Sequence, residues 1–210
     1  MTLDTARAKT ACWIVGQLGG KRDARKLATV LKSDQRDLWM QSAVAISMCG
    51  GTSVLKDLEE VTKHSHCAAQ REAAAYALSF LHNAMPENVS RLTGVFLDLL
   101  ENDKSPAVRA QACEGLGNLL SLADRRLTLV RNGIKSLIAA LDSPSPEIRF
   151  WAAFALGSLS SRTALPALKG IVHDRNQVQG WRTVGEGAED AITKIKKGTW
   201  PERSRHTYKR

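Results

Sequence analysis

Ser105-Pro106-Ala107-Val108-Arg109 and Ser145-Pro146-Glu147-Ile148-Arg149 stand 40 residues apart and open two copies of one unit. Each runs into an alanine-rich stretch, Ala112-Cys113-Glu114-Gly115-Leu116-Gly117-Asn118-Leu119 in the first copy and Ala152-Ala153-Phe154-Ala155-Leu156-Gly157-Ser158-Leu159 in the second. Serine is favoured just ahead of a helix, and proline suits the first helical position, where the missing N–H has no intrahelical partner. Val108, Ala112, Leu116 and Leu119 recur at helical spacing, so the unit begins with a helix that carries one apolar stripe.

The same template fits four more segments: 11–18, 38–49, 71–81 and 184–195. A small residue late in each helix marks the register, at Gly16, Ser47, Ser79, Gly117, Gly157 and Thr193, with intervals of 31, 32, 38, 40 and 36 residues. A small side chain at that place lets the following helix approach closely. Between the copies lie second amphipathic stretches at 23–32, 53–62, 89–101, 127–141 and 164–172; in the fourth, Ile134, Leu137, Ile138 and Leu141 form one apolar side. The unit is helix, turn, helix, and no segment alternates as a strand would. Helix pairs of this kind bury a core only against their neighbours, so the sequence predicts one cooperative all-α solenoid.

The pattern in Val108–Leu119 and Ile148–Leu159, an aliphatic residue and Arg followed by Ala, a small residue and Leu-Gly, resembles the HEAT repeat. It is most similar to the short bacterial form known as the phycobilisome-lyase HEAT-like repeat. Val184–Ile195 fits as well, with Gly185 where the Arg stands elsewhere. The resemblance implies a right-handed α-solenoid of about five to six HEAT-like helix pairs over residues 1–195, followed by a basic tail, 196–210. It implies an adaptor more than an enzyme, because the fold hosts few activities. HEAT-like di-iron hydroxylases hold their metals with His-Glu pairs, and no His is followed by Glu here. HEAT-like alkyl-base DNA glycosylases use an Asp near Trp and Arg; Trp151 with Glu147 and Arg149, and Trp39 with Asp37, are the places to look. No functional residue of the phycobilin lyases finds a match.

Charge narrows the partner. The net charge of the 210 residues is +9, but residues 194–210 hold seven cations against Glu202 alone, while the other 193 residues hold 23 cations and 20 anions. The body is nearly neutral and the tail is basic. Lys196, Lys197, Arg203, Arg205, Lys209 and Arg210, with Trp200 and Tyr208, are the candidate nucleic-acid-binding residues, and an acidic protein would suit them equally. No run approaches the ~20 apolar residues of a membrane span, and the first residues lack an apolar signal core. A cytoplasmic protein is expected. Cys12, Cys49, Cys67 and Cys113 form no Cys-x-x-Cys pair and read as reduced thiols.

Candidate sites follow from the repeat. His64-Ser65-His66-Cys67 is the one cluster of soft-metal ligands, too few for a closed site, so it reads as a turn, and neither a metal nor a cofactor is expected. Arg71, Arg109 and Arg149 share a register; they read as struts to a neighbouring carbonyl or carboxylate rather than as an anion ladder. The second helices line the concave face in HEAT-like stacks, and here their charge is mixed: Arg22, Arg25 and Lys26 first, Asp57, Glu59 and Glu60 next, then Arg125, Arg126, Arg131 and Lys135. A phosphate-tracking groove would stay positive, whereas a mixed face suits a protein partner. Arg22, Arg25, Lys26, Arg131 and Lys135, together with Trp181 and Arg182 at the opening of the last repeat, are the candidate partner-binding residues. Trp13 and Ile14 fall where an uncapped first repeat would leave them uncovered, which suggests assembly through the N-terminal repeat. Neither a nucleophile elbow nor a phosphate-cradling loop is found. A non-enzymatic scaffold is therefore the first reading, with nucleic-acid binding and a chromophore-lyase-like role as alternatives.

Overall fold

A computed structural model gives the fold; it describes residues 3–49, 52–81, 88–121, 123–124 and 127–202. Among these, eleven α-helices form and no strand does, the one β-bridge joining Gln177 to Thr183. In chain order they are α1 (Leu3–Leu18), α2 (Lys21–Lys32), α3 (Trp39–Cys49), α4 (Leu55–His64), α5 (Ala68–Phe80), α6 (Val89–Asn102), α7 (Pro106–Leu120), α8 (Thr128–Ala140), α9 (Pro146–Ser158), α10 (Leu165–Gly170) and α11 (Val184–Lys197). Short 3-10 turns lead into α3, α4 and α10. The chain divides into two compact units, Met1–Val95 and Phe96–Arg210.

Each unit is built from the helix pair read in the sequence. In the first, α1, α3 and α5 pack side by side, with α2 against α3 and α4 against α5. In the second, α7, α9 and α11 do the same, with α8 against α9 and α10 against α11. The alanine-rich helices α3, α5, α7 and α9 are thus the inner members, each packed against at least two other helices. Ala73 to Ser79 of α5 and Ala112 to Gly117 of α7 are buried without a break, and the small residues that make up most of each run permit the close approach.

The register residues show why. A Cβ on Gly16, Gly117 or Gly157 would lie 2.9, 2.8 or 2.9 Å from the Cα of Ala45, Ala155 or Ala191 on the next inner helix. Each of these alanines stands two residues before the register residue of its own helix, so one contact is repeated with one geometry. Where the register residue is Ser47, Ser79 or Thr193, its hydroxyl donates back into its own helix, to the carbonyls of Val44, Ala75 and Glu189.

Helix starts differ in one detail from expectation. Ser105 and Ser145 are the residues ahead of α7 and α9, and Pro106 and Pro146 open the helices, yet neither serine hydroxyl caps its helix. The serine N–H groups instead donate two residues back, to Asp103 Oδ1 at 2.8 Å and Ser143 Oγ at 3.3 Å. The turn that precedes each helix has taken over the cap's role of fixing the chain's entry. The last helix has the full device: Thr183 Oγ1 accepts the Glu186 N–H, and Glu186 Oε2 accepts the Thr183 N–H.

Candidate functional site

The arginine register is structural. Arg71 Nη1 donates to Ser65 O at 2.9 Å, and Arg109 Nε donates to Leu100 O at 2.8 Å. Arg149 Nη1 donates to Ser143 O at 2.7 Å and to Pro144 O at 3.1 Å. Each guanidinium therefore binds carbonyls at or beyond the C-terminal end of the preceding second helix, where the helix dipole favours a cation. Arg149 also meets Asp174, Nη2 to Oδ2 at 2.6 Å. Burial pulls the Asp174 carboxyl upward in pKa, but the backbone and side-chain N–H groups of Asn176, together with Arg149, outweigh it and hold the carboxyl below its ordinary value. Gly185 cannot supply this strut in the last repeat. Its bare Cα instead lies against the carbonyls of Val172 and Asp174, where a Cβ would be 2.4 and 2.9 Å away.

The tryptophans that a glycosylase reading would use are packing residues. Trp39 is buried and donates from Nε1 to Ser33 O at 2.8 Å. Trp151 is buried among Phe150, Phe154 and Trp181, edge-on to the last two at centroid distances of 5.5 and 4.9 Å. Trp181 and Arg182, expected at a partner surface, are engaged within the chain. Trp181 packs on that aromatic group, and Arg182 Nη1 lies 2.6 Å from Asp190 Oδ2, whose side chain is 0% exposed. Arg182 Nη2 adds Glu186 at 3.1 Å. Trp200, read as part of the tail, stacks on Phe154 at 5.1 Å, and its ring tip would lie 2.7 Å from a Cβ at Gly157. Its distance in sequence from Phe154 hid that contact.

The His64–Cys67 stretch is the turn from α4 to α5. Ser65 Oγ accepts the Cys67 N–H, and Cys67 precedes the first residue of α5. Among the described residues no three His, Cys, Asp or Glu side chains gather as a metal site. The four cysteines are free, and burial pushes the Cys113 thiol up to about 12.

Three surfaces remain. On α2, Arg22 and Arg25 are exposed, as is Lys26, 3.8 Å from Asp23. The acids of α4 are answered locally: Lys32 Nζ lies 2.7 Å from Asp57 Oδ1 and 2.9 Å from Glu60 Oε2. Arg91 Nη2 lies 2.9 Å from Glu59 Oε1, within ion-pair reach but off hydrogen-bond alignment. On α1, Trp13, Ile14 and Leu18 are 58%, 45% and 84% exposed, and Met48 at the adjoining end of α3 is exposed too.

The third surface is a groove of about 580 Å³ beside α8. Ile134, Ile138 and Leu159 make its apolar lining, and Arg131, Lys135 and Arg162 stand around it. The apolar side read on α8 is therefore split: Leu137 and Leu141 are buried, while Ile134 and Ile138 face the groove. Arg162 was not among the expected residues, because it comes from the turn after α9. Lys196 and Lys197 are exposed at the end of α11, whereas Arg125, Arg126, Arg203, Arg205, Lys209 and Arg210 lie outside the described residues.

Comparison with known proteins places this architecture. Residues 93–182 match the family model for HEAT repeats, a span that contains the Val108–Leu119 and Ile148–Leu159 motifs. No curated protein matches the sequence. Among solved structures, the complex of CpcE and CpcF of phycocyanin lyase from Nostoc sp. PCC7120 is similar with a TM-score of 0.63 at 18% identity, over 80% of this chain and 97% of that one. An engineered protein aligns with a TM-score of 0.58 at 19% identity, over 82% and 81% of the two chains. Computationally designed armadillo repeat proteins for modular peptide recognition align with a TM-score of 0.51 at 18% identity, over 88% and 92%. At these identities the likeness is one of fold, and the fold is that of HEAT- and armadillo-type helical repeats. Among the described residues no helix is long and apolar enough to cross a membrane.

Proposed function

We propose that the chain is a non-enzymatic scaffold that binds a partner protein, and that the uncovered face of α1 is one of its assembly surfaces. The observation that carries this is the exposure of Trp13, Ile14 and Leu18 on one helix, with Met48 beside them. Covering a large apolar side chain is worth about 1.5–3 kcal/mol, so such a group gains from a partner, and exposed apolar patches on folded proteins mark interaction surfaces. The exposed cations Arg22, Arg25 and Lys26 on α2, and Arg131 and Lys135 on α8, supply charge that steers encounter and selects the partner. The basic tail adds a further contact for an acidic protein.

The comparisons support a protein partner. The Nostoc structure is a complex of two chains, and the armadillo designs serve peptide recognition. Against a nucleic-acid role stands the use of Trp39, Trp151, Arg109 and Arg149 to hold helices together.

The test is affinity capture by the tagged full chain from the native host's lysate, with nuclease treatment and washes at low and high salt. A near-stoichiometric protein that survives both is expected. Recovery of nucleic acid alone, released by salt as counterion-driven binding must be, would overturn the proposal. Mixing the chain with a tetrapyrrole should leave its absorbance unchanged, and a shift would favour the lyase-like alternative.

A further inference from the structure

We infer that the groove beside α8 binds an extended, acidic peptide segment whose apolar residues alternate with carboxylates. The inference rests on the scaffold reading and names the chemistry of one of its partners. The groove has two complementary features. Half-buried Ile134 and Ile138 line it from α8, and the edge of buried Leu159 lines it from the end of α9, which makes a narrow apolar strip. Around that strip stand Arg131 and Lys135 on α8 and Arg162 on the other lining segment, and no acidic residue lines the groove. None of these three cations makes an ion pair among the described residues, and all three are exposed. Three unanswered positive charges around an apolar strip fit an anionic partner with apolar anchors. They do not fit the chain's own tail, whose excess charge is positive.

The spacing selects an extended peptide. Ile134 and Ile138 are four residues apart on a helix, as are Arg131 and Lys135, so each pair is separated by about 6 Å along the α8 axis. Successive side chains of an extended chain point to opposite faces, so those two residues apart share a face and recur every ~6.6 Å. A segment running along α8 therefore sets the apolar side chains of one face over Ile134 and Ile138, while Arg131, Lys135 and Arg162, long and exposed at the rim, reach past the backbone to the carboxylates of the other face. The volume, about 580 Å³, lies within the ~300–1,000 Å³ of ligand pockets. The groove is a partly open depression rather than an enclosed cavity, which suits a chain segment lying across it.

Fluorescence anisotropy on the full chain tests this with a short labelled peptide of alternating leucine and glutamate. Two control peptides replace the glutamates by glutamine or the leucines by serine, and a labelled single-stranded oligonucleotide makes the fourth probe. The alternating peptide should bind, and each control peptide should bind at least tenfold more weakly. The double variant Lys135→Glu/Arg162→Glu, on exposed positions that leave the core untouched, should lose at least tenfold in affinity; Ile138→Ser should lose several-fold. Absence of binding, equal binding of the glutamine control, an unchanged affinity in the charge-reversed variant, or preference for the oligonucleotide would each overturn the inference. The scaffold reading is separable, because it is tested at Trp13 and Leu18 on α1: capture of a protein by the wild type that Trp13→Ser/Leu18→Ser weakens, with no peptide binding by the wild type, sinks the groove alone.

Discussion

The first and last helices are copies of one element, yet they are treated oppositely. Helix α1 buries only Cys12 and Gly16 among its described side chains, while α11 buries Val184, Gly185, Gly187, Ala188, Asp190, Ala191 and Ile195. Helix α11 starts with a reciprocal Thr183–Glu186 cap, and Gly198 in the left-handed conformation ends it. Arg182 is bound to its flank, and Trp200 closes over Gly157 of the neighbouring helix. At α1 the equivalent side chains, Trp13, Ile14 and Leu18, are left in solvent. A terminal repeat must bury or polarise its outer face. Helix α11 does so with residues of its own chain, whereas Trp13, Ile14 and Leu18 of α1 are exposed and form the face proposed above for a partner.

The largest effect should come from breaking the sealed end. Asp190→Ala leaves Arg182, 17% exposed, with only the partly exposed Glu186, and should cost about 3 kcal/mol in urea denaturation, as loss of a buried ion-pair partner does. A second comparison sets one substitution at both ends. Gly157→Ala places a Cβ against both Ala191 and Trp200, and should cost about 2 kcal/mol even after the helix-propensity gain of alanine. Gly16→Ala meets Ala45 and the flexible Met48 from a helix with few buried residues, and should cost less than about 1 kcal/mol. Equal losses at the two positions would erase the distinction.

Acid should also act on the sealed end. Glu186 is held below its ordinary pKa, first by the Thr183 N–H and then by Arg182, and Asp174 is lowered as well. A carboxyl whose pKa is lower folded than unfolded stabilises fully above its unfolded value, about 4, and loses that contribution as pH falls through the folded value. Thermal melting should therefore drop below about pH 4, and the drop should be smaller in Glu186→Gln, which is already weakened at neutral pH. The smallest stability effect is expected at the open end. Trp13→Ser with Leu18→Ser should change unfolding free energy by no more than ~0.5 kcal/mol while weakening capture of the partner protein. A large destabilisation would mean that these side chains belong to the fold.

The fold was legible because the repeat states each helix several times over. The Val-Arg and Leu-Gly positions of one copy interpret those of the next, down to the glycine that meets an alanine two residues before the following register mark. The arginine struts were readable for the same reason. What the sequence hid were contacts made once. Trp181 and Arg182 look like exposed binding residues until Trp151 and Asp190 are placed beside them, and Trp200 looks like tail until Phe154 appears under it. The groove was half visible: Arg131 and Lys135 stood out on α8, but Arg162 joins them only through the turn after α9. Its signal was Ile134 and Ile138, sharing a helical face with buried Leu137 and Leu141 yet extending that face beyond what the core needs.

Amide hydrogen exchange, measured on the chain alone and in its captured complex, tests the open-end account most directly. Alone, α1 should exchange markedly faster than α11, as a helix with few buried contacts does; in the complex, protection should rise along α1 while α11 stays as it was. Exchange in α1 as slow as in α11, with no change on assembly, would contradict it.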